Sequence, residues 1–250
     1  MNRYKLTIEY DGRNFVGWQR QDNGVGVQQA VEEAVTAFCG DDAPVQGAGR
    51  TDSGVHALAQ AAHVDLTKDW PADTVRDALN AHLKHHAVSV LSVTPVSDAF
   101  HARFSANERA YRYRIINRRP PLTVDKGLAW WVPSKLDSDA MAAAAPGLLG
   151  THDFSTFRAS ECQAKSPVKT LDELVVQRFG EEITVSARAR SFLHHQVRNF
   201  VGALSLVGEG KWSARDLVGA LQAKDRTAGG PTAPADGLYL TAVRYPDDAT

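Results

Sequence analysis

Gly47-Ala48-Gly49-Arg50-Thr51-Asp52-Ser53-Gly54-Val55-His56-Ala57 sets a guanidinium, a hydroxyl and a carboxylate in consecutive positions, with glycines on both sides. Glycine lets a backbone bend tightly and approach a ligand closely. On either side the chain turns apolar: Pro44 to Gly49 and Leu58 to Leu66 read as strands around a loop centred on Asp52. Toward the N-terminus, Val27, Val31, Ala34, Val35 and Phe38 follow helical spacing, with Gly40 as a stop. Before that, Tyr4, Leu6, Ile8 and Tyr10 alternate with Lys5, Thr7 and Glu9, the period of a half-buried strand, and Asp11-Gly12 turns the chain. Beyond the loop, Val75, Leu79 and Leu83 mark a helix entered at Pro71, and Val88, Val90 and Val93 a further strand.

The second half has a similar order of elements. Tyr111, Tyr113 and Ile115 alternate with Arg112 and Arg114 as a strand with a basic face. Leu128 to Val132 is a short strand, and Met141 to Leu149 a helix weakened by Pro146. Leu174 to Phe179 and Ile183 to Ala189 form a hairpin across Gly180. A helix is predicted over Phe192 to Val207, another after the capping Ser213, and a closing strand over Gly237 to Tyr245. Strict βαβ alternation is missing, so the expected class is α+β with largely antiparallel sheets in two similar halves, 1–105 and 106–250.

Composition bounds the function. Among 250 residues, 43% are hydrophobic, enough for a core without disulfide or metal staples. Lys+Arg number 28 against 29 Asp+Glu, so a bulk basic signal for nucleic acid is missing. The distribution says more: Arg103, Arg109, Arg112, Arg114, Arg118 and Arg119 crowd one stretch, and Arg188, Arg190 and Arg198 another. Such local patches fit either phosphate contacts or solvated strand faces. Cys39 and Cys162 are isolated, which argues against a disulfide framework. The start lacks an apolar leader and no run approaches a membrane span, so a cytoplasmic protein is expected.

The residues around Asp52 admit two readings. One is a capped turn, with Asp and Thr satisfying local amides. The other is a catalytic carboxylate, shielded from water in a closed pocket and held by a guanidinium, from Arg50 or another arginine. Two further stretches bear on the choice. Phe100-His101-Ala102-Arg103-Phe104-Ser105, followed by Arg109-Ala110-Tyr111-Arg112-Tyr113, interleaves aromatics with arginines, as base stacking and phosphate contact require together. Phe104 and Tyr113 are expected to face the core; for Tyr111 the pattern leaves both faces open. Phe192-Leu193-His194-His195-Gln196-Val197-Arg198-Asn199 is polar within an apolar helix pattern, so Arg198 should meet a carboxylate, with Asp52 as the chosen partner.

Taken together, these motifs resemble the tRNA pseudouridine synthase A family. The matching pieces begin with Glu9-Tyr10-Asp11-Gly12, Gly17-Trp18-Gln19-Arg20-Gln21 and Gly49-Arg50-Thr51-Asp52-Ser53-Gly54-Val55-His56. Phe100 to Ala106, Tyr111-Arg112-Tyr113 and Asp153-Phe154-Ser155-Thr156-Phe157-Arg158 follow in family order. His194 to Asn199 and Gly237-Leu238-Tyr239-Leu240 complete the set. Ser53 stands where the family more usually has Ala, a small-for-small change. The resemblance implies a pseudouridine synthase fold, two α+β halves flanked by helices around a central cleft. It further implies a homodimer acting on uridines 38, 39 and 40 of the tRNA anticodon stem-loop, without cofactor or metal. Residue by residue, it implies Asp52 as the catalytic carboxylate and Arg198 as its basic partner. Tyr111 takes the place of the tyrosine that packs on the target base. Arg50 is implied to position the flipped nucleotide or the RNA backbone, and Leu240 to wall an apolar pocket.

Other classes fit less well. A catalytically inactive tRNA-binding or folding-chaperone protein would keep the basic faces without needing Asp52. A zinc deaminase would need His-x-Glu and Pro-Cys-x-x-Cys, which the isolated cysteines rule out. His85-His86 and His194-His195 are adjacent pairs, which seldom face one metal together. Gly24-Val25-Gly26 lacks the third glycine of a dinucleotide loop.

Overall fold

The computed structural model describes residues 1–246. Its contacts divide the chain into two compact units: Met1–Arg109 with the described residues from Tyr239, and Ala110–Leu238. Both are of the expected α+β kind with largely antiparallel sheets.

In the first unit, β1 (Asn2–Tyr10) buries Tyr4, Leu6, Ile8 and Tyr10, the alternate residues that defined it in the sequence. The helix α1 (Val27–Cys39) buries the stripe Val27, Ala30, Val31, Ala34 and Val35. Then come the two-residue β2 (Gln46–Gly47), the long β3 (His56–Leu66), α2 (Ala72–His82) and β4 (Val88–Val96). β1 lies between β3 and β4 and is antiparallel to both, Tyr4 facing Val64 on one side and Pro95 on the other. Pro95 is tolerated because β4 is the outer strand of this unit's sheet. From Gln60 to Val64, β3 is buried on both faces. Ala62 and Val64 share the side of Leu6 and Tyr4, while Ala61 packs against Ala48, Phe100 and Ala102. Two covered faces explain why this strand reads as small residues rather than as alternation.

In the second unit, β5 (Glu108–Asn117) pairs in parallel with the short β6 (Trp130–Val132). The helix α3 (Ser138–Ala144) is capped by the Asp137 carboxylate, which accepts from the amides of Asp139 and Ala140. It gives way at Ala145 to a 3-10 turn holding Pro146, whose missing N–H cannot continue the helical ladder. The strand β7 (Gly150–Asp153) follows, too short and polar to read from sequence. Next come the hairpin β8 (Val168–Phe179) and β9 (Glu182–Ala189), then α4 (Gln196–Gly208) and α5 (Ala214–Ala223). This unit's strand order is β5-β9-β8-β7. Phe154, Phe157 and Phe200 meet in edge-on pairs, and α4 is buried almost all round. The closing strand β10 (Leu238–Arg244) returns to the first unit and runs parallel to β3, Tyr239 opposite His56 and Leu240 opposite Ala57.

One sequence expectation is corrected. The helix expected from Phe192 begins at Gln196, so His194 and His195 precede it rather than sit in its middle. His195 is left-handed, with φ 62°, which no helix continues through. The Gln196 amide donates to Leu193 O at 3.1 Å, and the Gln196 side-chain oxygen accepts from the Leu193 amide at 2.7 Å. That turn satisfies amides at the helix start that no helical partner would reach. Among the described residues, no helix is long and apolar enough to cross a membrane.

Two helix glycines should respond to alanine with opposite signs. A methyl at Gly202 on α4 would lie 1.7 Å from the Pro231 carbonyl oxygen, whereas at Gly219 on α5 it would meet nothing within 4 Å. In urea denaturation, Gly202→Ala is expected to lose about 2–3 kcal/mol by overpacking, and Gly219→Ala to gain about 0.5–1 kcal/mol by restricting the unfolded chain. Equal effects at the two positions would contradict this packing.

Candidate active site

Asp52 opens a tight turn: its carbonyl accepts from the Val55 amide at 3.1 Å, with Gly54 at φ 78° in the corner. The Asp52 side chain is half-buried and that of Arg50 exposed. The loop is fastened along its length to the segment after β1. The Trp18 amide donates to Thr51 O at 3.0 Å, the Ser53 hydroxyl to Phe15 O at 3.2 Å, and the Gly12 amide to His56 Nδ1 at 3.1 Å. The hydroxyls of Tyr10 and Thr51 share a buried hydrogen bond of 2.8 Å. His56 also stacks on Tyr239, ring centroids 4.6 Å apart, which ties the start of β3 to β10.

These bonds require close backbone approach. A methyl at Gly12 would sit 2.1 Å from the Val55 carbonyl oxygen, and one at Gly17 would sit 2.6 Å from that of Thr51. Gly17 has φ 113° besides, which L side chains rarely adopt. Trp18 is buried with its indole against Gly47, where a methyl would come within 2.5 Å. Beside it, Asp11 caps the short turn Gly12–Asn14 and bonds the Arg13 guanidinium. Burial alone would raise the Asp11 carboxyl, but the bonds from Arg13 hold it below its ordinary value.

The other end of the loop is fixed by Arg109. Its guanidinium is buried and donates to Ala48 O at 2.8 Å, Arg103 O at 2.7 Å and Ala106 O at 3.2 Å. One side chain thus holds the Asp52 loop and the segment 100–106 in fixed relation. This corrects the sequence reading, which counted Arg109 among surface cations. The signal was available: Arg109 shares parity with Tyr113 and Ile115, the buried face of β5. Phe104 is corrected in the opposite sense, being 71% exposed rather than core-facing. Tyr113 is buried as expected, its hydroxyl donating to Pro234 O at 2.7 Å.

The other sequence-predicted residues fall as follows. Leu240 is fully buried in the first unit, next to Ala57 across the β3–β10 pair. Tyr111, on β5 in the second unit, is half-buried and meets Phe192 edge-on, centroids 5.2 Å apart and planes at 90°. Phe192, read in the sequence as an apolar helix residue, precedes α4 and packs against the Tyr111 ring. Arg198, in the first turn of α4, donates from Nε to Ala233 O at 2.8 Å. Of the basic strand face, Arg114 is paired with Glu182 and Asp125, leaving Arg112 exposed beside it.

His63 gives this arrangement a pH dependence. Burial, then the charges of Arg3 and His101, lower its pKa from 6.5 to about 4. Its Nδ1 accepts from the Ala102 amide at 3.1 Å, which requires that nitrogen unprotonated. Because the folded-state value lies below the unfolded one, this contribution is complete above pH 6.5 and is lost as pH falls from 6.5 toward 4. Denaturation midpoints of wild type are expected to drop across that window by a step that His63→Gln lacks; superimposable profiles would contradict it.

Comparison with known proteins bears on the family. The family model described as tRNA pseudouridine synthase matches residues 6–105 and 144–246. A protein of Paramagnetospirillum magneticum named tRNA pseudouridine synthase A is 64% identical, over 98% of this chain and 96% of its own. Proteins of the same name from Maricaulis maris and Rhodospirillum rubrum are 61% and 59% identical, over 100% and 99% of this chain and 100% and 89% of theirs. On that family match and these near-full-length likenesses, the chain belongs to the tRNA pseudouridine synthase family.

Proposed function

We propose that this protein isomerises uridine to pseudouridine in tRNA, at positions 38, 39 and 40 of the anticodon stem-loop, with Asp52 as the catalytic carboxylate. The observation that carries this reading is the Asp52 turn itself, braced from both ends in a chain of this family. A capped turn would need only local bonds. Here the bracing comes from Trp18, Gly12, Phe15 and Arg109, so the loop that carries the carboxylate is held by elements that gain nothing from local capping.

The reaction breaks the N1–C1′ bond, turns the uracil and joins C5 to C1′. The C5 proton leaves and N1 gains one, so composition is unchanged and nothing is oxidised or reduced. The base must first leave its stack, at a cost of a few kcal/mol. Tyr111, its ring steadied by Phe192, offsets part of that cost by packing on the base. Asp52 attacks C1′, adds to C6 or removes the C2′ proton; each route needs the carboxylate form. Arg198 is assigned as its cationic partner and Arg50 as a contact to the nucleotide or RNA backbone. Leu240, buried beside Ala57, backs the apolar wall. tRNA is the macromolecular substrate, the location cytoplasmic and the assembly a homodimer. Sedimentation should therefore give twice the 27.2 kDa chain mass; a monomer with full activity would overturn the last point.

Release of tritium from tRNA carrying C5-labelled uridine tests the reading. Wild type is expected to release it, and Asp52→Asn to be slowed at least about a thousandfold with tRNA affinity kept. Tyr111→Phe should retain most of the rate and Tyr111→Ala little of it. Tight tRNA binding by wild type without release would point instead to a binding or chaperone protein.

A further inference from the structure

The turn Phe100-His101-Ala102-Arg103-Phe104-Ser105 takes no part in the chemistry above, yet the side chains of His63, Arg109 and Tyr245 all hydrogen-bond to it. The Ala102 amide donates to His63, and the Ala102 carbonyl accepts from the Tyr245 hydroxyl at 2.8 Å. The Arg103 carbonyl accepts from Arg109 at 2.7 Å, and the Arg103 amide donates to His101 Nδ1 at 3.1 Å. The Ser105 amide closes the turn on His101 O at 2.9 Å, while its hydroxyl accepts from the His101 amide at 2.9 Å.

What this scaffold presents is a phenyl ring. Phe104 is 71% exposed, backed by the His101 ring at 4.4 Å, with the Arg103 guanidinium 5.6 Å from its centroid. His101 rests in turn on His63, 4.7 Å away, so the stack is rooted in β3. A single exposed apolar residue on a mobile loop would call for no explanation. An exposed ring on a fixed turn, rooted in a buried histidine and flanked by an exposed guanidinium, has what stacking on a base requires. The ring is held by its histidine neighbour, most of its surface is open to solvent, and a guanidinium lies next to it for the neighbouring phosphate. Arg109 adds the link to function, since the same guanidinium nitrogen that holds Arg103 O also holds Ala48 O of the Asp52 loop.

We infer that Phe104 is a stacking platform for an unpaired base of the RNA substrate, and that Arg103 contacts the phosphate next to it. The inference rests on the proposed tRNA activity. It makes Phe104 a binding residue for the tRNA outside the reacting nucleotide, set at a fixed span from Asp52.

The test is tRNA affinity and tritium release for Phe104→Ala, Phe104→Leu, Phe104→Trp and Arg103→Gln beside wild type. Phe104→Ala and Phe104→Leu are expected to weaken tRNA binding and raise KM about tenfold, with little change in kcat at saturation. Phe104→Trp should bind at least as tightly as wild type, a recovery that apolar burial alone would not produce. Arg103→Gln should lower the slope of log affinity against log salt by about one, while Phe104→Ala leaves that slope unchanged. Thermal midpoints of the Phe104 variants should match wild type, because the ring is exposed. Wild-type affinity and KM in both Phe104→Ala and Phe104→Leu would overturn the platform, and an unchanged salt slope in Arg103→Gln would overturn the phosphate contact. Absence of tritium release from wild type would instead count against the activity on which the inference rests.

Discussion

Two stretches of backbone touch in this protein where any side chain would hold them apart. Gly12 and Gly17 bring the segment after β1 against the Thr51–Val55 carbonyls, and the space a methyl would need is already filled by backbone oxygen. Everything else about the Asp52 loop follows from that approach. It lets the Trp18 amide reach Thr51 O, the Gly12 amide reach His56, and Ser53 reach Phe15. A flexible loop would have to be ordered at about 1–2 kcal/mol per residue each time substrate binds. A loop already ordered by the fold spares binding energy for moving the base out of its stack.

Arg109 extends this constraint along the chain. Burying a guanidinium is unfavourable unless its donors are satisfied. Three backbone carbonyls from two loops supply those partners, so the charge and both loops are ordered together. Replacing it by lysine would keep the charge but lose the fork that reaches several acceptors at once. The same logic separates Arg109 from Arg114, whose charge is met by Glu182 and Asp125, and from Arg112, which faces solvent. Three arginines within six positions of one strand thus do three different things, set by parity and by neighbours rather than by residue type.

Much of this was legible in the sequence. Alternation in Tyr4 to Tyr10, the apolar stripe of Val27 to Val35 and the hairpin across Gly180 are local patterns, and local patterns set these elements. The Asp52 loop stood out by its glycines and its consecutive polar groups. What could not be read depends on distant partners. β7 is four residues long and exists because β8 lies beside it. The start of α4 is decided by a left-handed His195 that no periodicity announces. Phe104 looked like a core residue because aromatics in strands usually are; a hydrogen-bonded turn through His63, Arg109 and Tyr245 points it outward instead.

The most direct measurement on the braced loop is the single-turnover rate of Gly12→Ala on tRNA, taken together with its tRNA affinity. The added methyl is forced against the Val55 carbonyl and must shift the loop without touching RNA-binding side chains. Displacement of a reacting group by about 1 Å is enough to slow chemistry by about a hundredfold, so the rate should fall by that order while affinity stays within a few-fold of wild type. A folded Gly12→Ala protein with the wild-type rate would contradict the claim that this backbone contact sets the position of Asp52.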